Sequence, residues 1–193
     1  MSCTNDYLKM LAPKITNELV ISTIAGISVE WQSMTPRDGN LYGIYMTGAT
    51  SLALGLAKAL PHRRVISLDG DGSMLMGMSI LPAIAQQNPA NLIVIVFDNE
   101  SYEAAGKVPT FTSNKTDLVG IAKGAGIEKA WEVRELQEFT EVIEEAFESK
   151  NASFINIKVD LSPPKPKGSF RMNLGLVENK YRFLRYIEKT ENR

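Results

Sequence analysis

The sequence predicts an α/β fold: a doubly wound parallel sheet flanked by helices, in a single domain with a C-terminal arm. Three observations predict it. Strand-like and helix-like segments alternate throughout residues 19–159, the pattern of strands joined by crossover helices. Leu92 to Phe97 is a run of six consecutive apolar residues, and a strand apolar on both faces belongs in a sheet covered on both sides. Gly70-Asp71-Gly72 and Asp98-Asn99 each follow a strand-like run directly, at the carboxyl ends where such sheets take ligands.

Asn5 to Asn17 reads as a helix with Tyr7, Leu8, Leu11, Ala12 and Ile15 on one stripe, interrupted by Pro13. Leu19 to Ile24 is a short β-branched run and reads as a buried strand. Gly26 to Gly43 contains Pro36, Asp38, Gly39 and Asn40, and is expected to be mostly loop with one helical turn. Thr47 to Leu60 is apolar on nearly every side and reads as a buried helix, in which Gly48 and Gly55 would admit another backbone closely. Val65 to Leu68 is the next strand. Ser79 to Gln87 is a helix with Ser79 as its cap and Pro82 tolerated near its start.

After the strand at Leu92–Phe97, Asp117 to Gly124 reads as a short helix capped by Asp117. Arg134 to Ser149 is amphipathic, with Leu136, Phe139, Val142, Ile143, Ala146 and Phe147 inward. Its glutamates, Glu135, Glu138, Glu141, Glu144, Glu145 and Glu148, form a solvated face. Phe154 to Val159 is the last strand. The composition then changes, and Pro163 to Gly168 reads as a linker. Leu174 to Lys189 is a helix whose Leu176, Tyr181, Phe183, Leu184, Tyr186 and Ile187 need cover from this domain or from a partner chain. The expected division is a domain over residues 1–160, with linker and arm over 161–193.

The 193 residues suffice for one domain with a full core, and a net charge of −1 gives no general drive towards nucleic acid or anionic membrane. No apolar run reaches the ~18 residues of a membrane span. Met1 to Lys14 lacks the pattern of a signal peptide, so the cytoplasm is the expected location. Cys3 is the single cysteine and His62 the single histidine, the latter expected in a solvated loop. Intrachain disulfides, cysteine-ligated clusters and histidine-based triads are therefore excluded or disfavoured. Any catalysis has to rely on carboxylates, backbone groups and a cofactor.

Gly70-Asp71-Gly72-Ser73 and Asp98-Asn99 together read as a metal–diphosphate clamp. Twenty-six residues separate Gly72 from Asn99, room for one helix and one strand, which places Asp71 and Asn99 at the ends of two parallel strands. Mg²⁺ or Ca²⁺ neutralises a diphosphate and prefers oxygen ligands. Gly70 and Gly72 bring main-chain N–H groups close to the anion, and Ser73 is expected to add a hydroxyl donor.

This pattern resembles the thiamine-diphosphate enzymes, whose diphosphate-binding domain carries such a Gly-Asp-Gly motif ending in Asn. The resemblance covers residues 19–159. It implies metal ligation by the side chains of Asp71 and Asn99 and the main-chain oxygen of Ser101, with Tyr102 beside them. Many family members have Asn-Asn where this chain has Asp98-Asn99. The chain resembles more closely still the β subunits of sulfopyruvate decarboxylase and the matching part of phosphonopyruvate decarboxylase. The shared residues are Gly70-Asp71-Gly72-Ser73 with Leu75-Met76, Asp98-Asn99 with Tyr102, Pro109-Thr110 with Thr112-Ser113, and Thr116-Asp117-Leu118. Aligned on this family, Met46 falls where a large apolar residue wedges between the cofactor rings, close to Gly48. Gly106-Lys107-Val108 and Glu103-Ala104-Ala105 depart from the relatives. Lys107 is a candidate for pairing with a substrate anion, and Glu103 for proton transfer.

In this family a glutamate on a separate pyrimidine-binding domain activates the cofactor. The resemblance thus implies a partner chain carrying that domain, a homodimer or hetero-oligomer, and non-oxidative decarboxylation of a small 2-oxo acid to an aldehyde. The alternatives are the β subunit of a 2-oxoacid oxidoreductase, a carboligase, and a non-catalytic module that keeps the cofactor fold.

Overall fold

A computed structural model describes residues 2–161 and 174–192; the linker expected at Pro163–Gly168 lies outside the described residues. Six parallel strands form the sheet: β1 (Leu19–Thr23), β2 (Asn40–Ile44), β3 (Val65–Gly70), β4 (Leu92–Asp98), β7 (Lys129–Val133) and β8 (Ser153–Lys158), in the order β2-β1-β3-β4-β8-β7. A two-stranded antiparallel hairpin, β5 (Ser101–Tyr102) with β6 (Val108–Pro109), leaves the end of β4. The helices are α1 (Thr4–Leu11), α2 (Gly26–Met34), α3 (Gly48–Ala59), α4 (Asp71–Met76), α5 (Ile80–Gln87), α6 (Leu118–Gly124), α7 (Leu136–Glu148) and α8 (Leu176–Thr190). The fold class is the one expected.

Alternation along β4 builds both halves of the core. Leu92, Val94 and Val96 face a layer formed by α3, α5 and α6, while Ile93, Ile95 and Phe97 face α1, α2 and α7. All seven β4 residues are buried, as an interior strand of a doubly covered sheet requires. On α7, Phe139, Ile143 and Ala146 are buried and the glutamates are exposed, as expected. Asp117 caps α6 through the Gly120 amide at 2.9 Å.

Several expectations need correction. Residues 26–43 are not mostly loop: they form α2 and β2, and Trp31 and Tyr42 from this stretch are fully buried. β7 has no counterpart among the predicted strands. The first helix stops at Leu11, and Ala12–Lys14 tightens into a 3₁₀ turn where Pro13 withholds a donor. Ser79 precedes α5 but makes no side-chain cap bond. Helix α3 is buried on one face only, with Ser51, Leu52, Gly55 and Lys58 exposed. Nothing approaches Gly55, and a Cβ at Gly48 would meet the Tyr45 ring and Ile44 side chain instead of another backbone. His62 is exposed as expected, but its Nε2 lies 2.8 Å from Glu191.

The C-terminal arm packs on this domain. Phe183 is buried in the α3 layer, with Tyr186 and Ile187 against it, whereas Leu176, Tyr181 and Leu184 stay exposed. Along β2, polar side chains of α8 occupy the place of a further strand. Asn179 Nδ2 donates to the Tyr42 carbonyl at 2.7 Å and Asn179 Oδ1 accepts from its amide at 3.4 Å. Arg182 donates to the carbonyls of Asn40 and Arg37, both at 2.7 Å. No described helix is long and apolar enough to cross a membrane.

Asn179→Ala is expected to lower the unfolding free energy by about 1–3 kcal/mol by stranding the main-chain groups of Tyr42. Chemical denaturation measures it, and a loss below about 0.5 kcal/mol would mean that water replaces these bonds.

Candidate functional site

The sheet order places β1 between β2 and β3, so the chain leaves β1 to one side and returns to the other. Such a reversal opens a crevice beyond the carboxyl ends of the strands. A cleft lies there, lined by Thr23 to Ile27 after β1, Met46 after β2, Gly70 to Ser73 after β3, and Asn99 with Ser101 to Ala105 after β4. Glu30 on α2 closes its floor. Its volume of about 160 Å³ is below the roughly 300–1,000 Å³ of complete small-molecule pockets.

Of the residues singled out in the sequence, Met46, Gly70, Asp71, Gly72, Ser73, Asn99, Ser101, Tyr102 and Glu103 converge on this cleft. Gly48 is buried at the start of α3, outside the lining. Lys107 sits at the exposed hairpin tip, also outside it. Gly-Asp-Gly is more than a turn: Gly70 ends β3 and Asp71-Gly72-Ser73 forms the first turn of α4, whose free N–H groups favour an anion. Gly72 is required for packing, because a Cβ there would collide with the Tyr102 ring. The Ser73 hydroxyl is turned towards the fold, accepting from the Thr47 amide at 2.9 Å and lying against Asp69.

Residues after the hairpin complete the site. Thr110 Oγ1 donates to Asp71 Oδ2 at 2.6 Å, and Thr112 Oγ1 lies 3.2 Å from the same oxygen and 2.7 Å from Asp98 Oδ1. The two hydroxyls are 2.8 Å apart. Asn99 Oδ1 accepts from the Ser101 amide at 3.1 Å, and its Nδ2 donates to Glu103 Oε2 at 3.3 Å. The Ser101 hydroxyl is buried with no hydrogen-bond partner among the described residues. Asp98 is paired with Lys158 at 2.9 Å, and the same ammonium lies 2.9 Å from Glu100.

Thr110, Thr112, Asp98, Lys158 and Asp69 were not assigned site roles from sequence. The Pro109-Thr110-Phe111-Thr112-Ser113 motif is the available signal; in the structure Thr110 donates to Asp71, and Thr112 lies between Asp71 and Asp98.

Electrostatics single out Asp71. Burial pushes its carboxyl up to about 6, opposed by the Thr110 hydrogen bond and reinforced by the charge of Asp98. Burial also raises Asp69, against hydrogen bonds from Ser73, Thr50, the Gly70 amide and Thr23. Burial disfavours the charged Lys158, but its hydrogen bonds to Asp98 and Glu100 outweigh that and hold its pKa above the ordinary lysine value. Asp71 is thus a buried carboxylate with hydroxyl donors and no cationic side chain among its described partners. No group of three or more His, Cys, Asp or Glu side chains among the described residues is placed to hold a metal. The available donors are instead one carboxylate, one amide and a main-chain oxygen, hard ligands that suit Mg²⁺ or Ca²⁺ together with a ligand's own oxygens.

The backbone is strained around the cleft. Three of the six described non-glycine residues with positive φ, Ala25 (74°), Thr47 (75°) and Glu100 (59°), are on loops leaving the carboxyl ends of β1, β2 and β4. Such strain concentrates at functional sites.

Residues 35–157 match the family described as thiamine pyrophosphate enzyme, C-terminal TPP binding domain. The chain is 31% identical over 187 residues to the sulfopyruvate decarboxylase subunit beta of Methanocaldococcus jannaschii, covering 96% of this chain and 97% of that one. It is 27% identical over 152 residues to the phosphonopyruvate decarboxylase of Streptomyces viridochromogenes, covering 78% of this chain and 38% of that protein. Among solved structures, benzoylformate decarboxylase from Polynucleobacter necessarius aligns with a TM-score of 0.66 at 23% identity, over 83% of this chain and 34% of that one. The last likeness shows the fold, and this chain spans about a third of that structure.

Ala25→Gly is expected to raise stability by about 1 kcal/mol, because glycine occupies φ 74°, ψ −140° without the alanine penalty. Thermal unfolding reads it, and a lower midpoint would show that the Ala25 methyl contributes packing that outweighs the strain.

Proposed function

This chain belongs to the thiamine pyrophosphate (diphosphate) enzymes, as their C-terminal TPP-binding domain, and we propose that it is the diphosphate- and metal-binding subunit of a two-chain decarboxylase of a small 2-oxo acid. The observation that carries this reading is the end-to-end match to a relative named as a subunit beta, spanning 97% of that relative. The substrate class is a 2-oxo acid bearing a second acid group, as in the sulfopyruvate and phosphonopyruvate of the relatives' names.

When bound, thiamine diphosphate supplies a nucleophilic carbon and an electron sink for the decarboxylation of a 2-oxo acid. In this reading Asp71, Asn99 and the main-chain oxygen of Ser101 hold Mg²⁺, with Ca²⁺ an acceptable substitute. The amides at the start of α4 would face the diphosphate. Thr110 holds the Asp71 carboxylate, Thr112 links it to Asp98, and the Tyr102 ring over Gly72 keeps the metal loop against α4. Met46, half-buried in the cleft lining, is the proposed wedge. Glu103 Oε2 would hold or move a proton at the cleft, whereas Lys107, exposed at the hairpin tip, lies outside it.

Ile24, Tyr45, Met76 and Phe111 are more than half exposed, and each follows the carboxyl end of a strand of the main sheet or of the hairpin. A rim of exposed apolar side chains marks a contact surface. We assign it to the partner chain that brings the pyrimidine-binding domain and the activating glutamate.

The purified chain alone is expected not to release carbon dioxide from sulfopyruvate or phosphonopyruvate when Mg²⁺ and thiamine diphosphate are supplied, and to do so once its partner is added. Sustained turnover by the chain alone would overturn the two-chain reading.

Asp71→Asn is expected to weaken Mg²⁺-dependent cofactor binding by at least about tenfold. In the wild type a proton competes with the metal for a carboxyl whose pKa is about 6. Affinity should therefore hold above that pH and fall by up to about tenfold per pH unit below it. Calorimetric titration across pH tests both; a flat profile would remove Asp71 from the metal site.

A further inference from the structure

We propose that the buried Lys158–Asp98 pair is a positioning device for the metal site: it fixes the direction of the Thr112 hydroxyl and so leaves the Asp71 carboxylate open to a cation. The inference rests on the reading of Asp71 as a metal ligand and goes beyond it.

Asp98 is 1% exposed and accepts on both oxygens. Oδ2 receives Lys158 Nζ at 2.9 Å and Asn156 Nδ2 at 3.2 Å. Oδ1 receives the Glu100 amide at 3.2 Å and faces Thr112 Oγ1 at 2.7 Å. A threonine hydroxyl has a single hydrogen to donate. At 2.7 Å from Asp98 against 3.2 Å from Asp71, that hydrogen goes to Asp98. Asp71 Oδ2 is then served by Thr110 alone, at 2.6 Å, and its charge is less quenched. Lys158 is what allows an anion to sit at position 98 out of contact with water.

An asparagine side chain in place of Asp98 would behave differently beside Lys158. Its NH₂ group cannot face the ammonium, so the carbonyl must turn that way and the NH₂ towards Thr112, where the Glu100 amide also loses its acceptor. Thr112 then accepts from it and points its own hydrogen at Asp71. Removing Lys158 as well frees the introduced amide to turn back. Its NH₂ group would then face Asn156, whose amide now donates to Asp98 and would turn over to present its Oδ1, buried with no hydrogen-bond partner among the described residues. The neutral pair thereby restores the Thr112 direction that the charged pair provides.

The test is a calorimetric titration of thiamine diphosphate, at several Mg²⁺ concentrations, into the chain co-purified with its partner. Asp98→Asn is expected to weaken binding and raise the Mg²⁺ requirement by about tenfold or more. Asp98→Asn with Lys158→Met is expected to recover to within about threefold of the wild type. A merely structural role predicts that the second substitution adds to the loss. An unaffected Asp98→Asn, or a double variant no tighter than Asp98→Asn, would overturn the proposal. If Asp98→Asn does not fold, the double variant decides: near-wild-type binding supports the pairing and weak binding overturns it. A wild-type complex that does not bind the cofactor with Mg²⁺ would overturn the cofactor reading itself, and the positioning role with it.

Discussion

Everything at the carboxyl end of this sheet depends on how buried negative charge is balanced. Asp69, Asp71 and Asp98 are each 3% exposed or less, and an ionised carboxylate out of contact with water is stable only with strong hydrogen bonds or a counter-charge. The three solutions differ. Asp69 is held by the Thr50 hydroxyl at 2.7 Å and the Gly70 amide at 3.0 Å, and it ties α3 to β3. Asp98 has an ammonium. Asp71 has the Thr110 hydroxyl and the Gly72 amide, and it alone of the three lines the cleft. Only Asp98 is given a counter-charge, and only Asp71 opens to the cleft.

The same logic explains the hairpin between β4 and α6. It returns the chain so that Thr110 and Thr112 reach Asp71, 39 and 41 positions earlier, and it lays Tyr102 over Gly72. Loop residues can hold such geometry only when the scaffold beneath them is rigid. Here that scaffold is β3 against β4, paired in register from Val65 with Leu92 to Gly70 with Phe97.

The sequence made the interior of the sheet legible and its margins much less so. β4 announces itself because both faces are covered and its apolar run, Leu92 to Phe97, is unbroken, and β3 because an apolar stretch leads straight into Gly70-Asp71-Gly72. β2 and β7 lie at the edges, where half the side chains meet water or a single layer. Lys129 and Glu132 dilute the signal of β7, and Asn40 and Gly43 that of β2. Helix α2 was obscured because Gly26 begins it and Pro36 closely follows it, both of which read as loop. In the site, Asp71 and Asn99 were visible because local spacing places them at strand ends. Thr110 and Thr112 act across a tertiary contact, and Lys158 belongs to a strand paired with β4. The motif from Pro109 to Ser113 marks the threonines without naming their partner, and no local pattern announces Lys158. The inward turn of the Ser73 hydroxyl likewise depends on Thr47 and Asp69, which only folding brings near.

The cover that α8 gives β2 has a consequence for assembly. An uncovered outer strand is a template on which another chain can continue the sheet. Asn179 and Arg182 already occupy main-chain groups of Asn40 and Tyr42, so growth of the sheet is terminated on that side. Subunits that join this chain there must do so through side chains. Association by continuing the sheet is thereby closed at the β2 edge, and contacts made elsewhere on the surface are favoured over side-by-side extension.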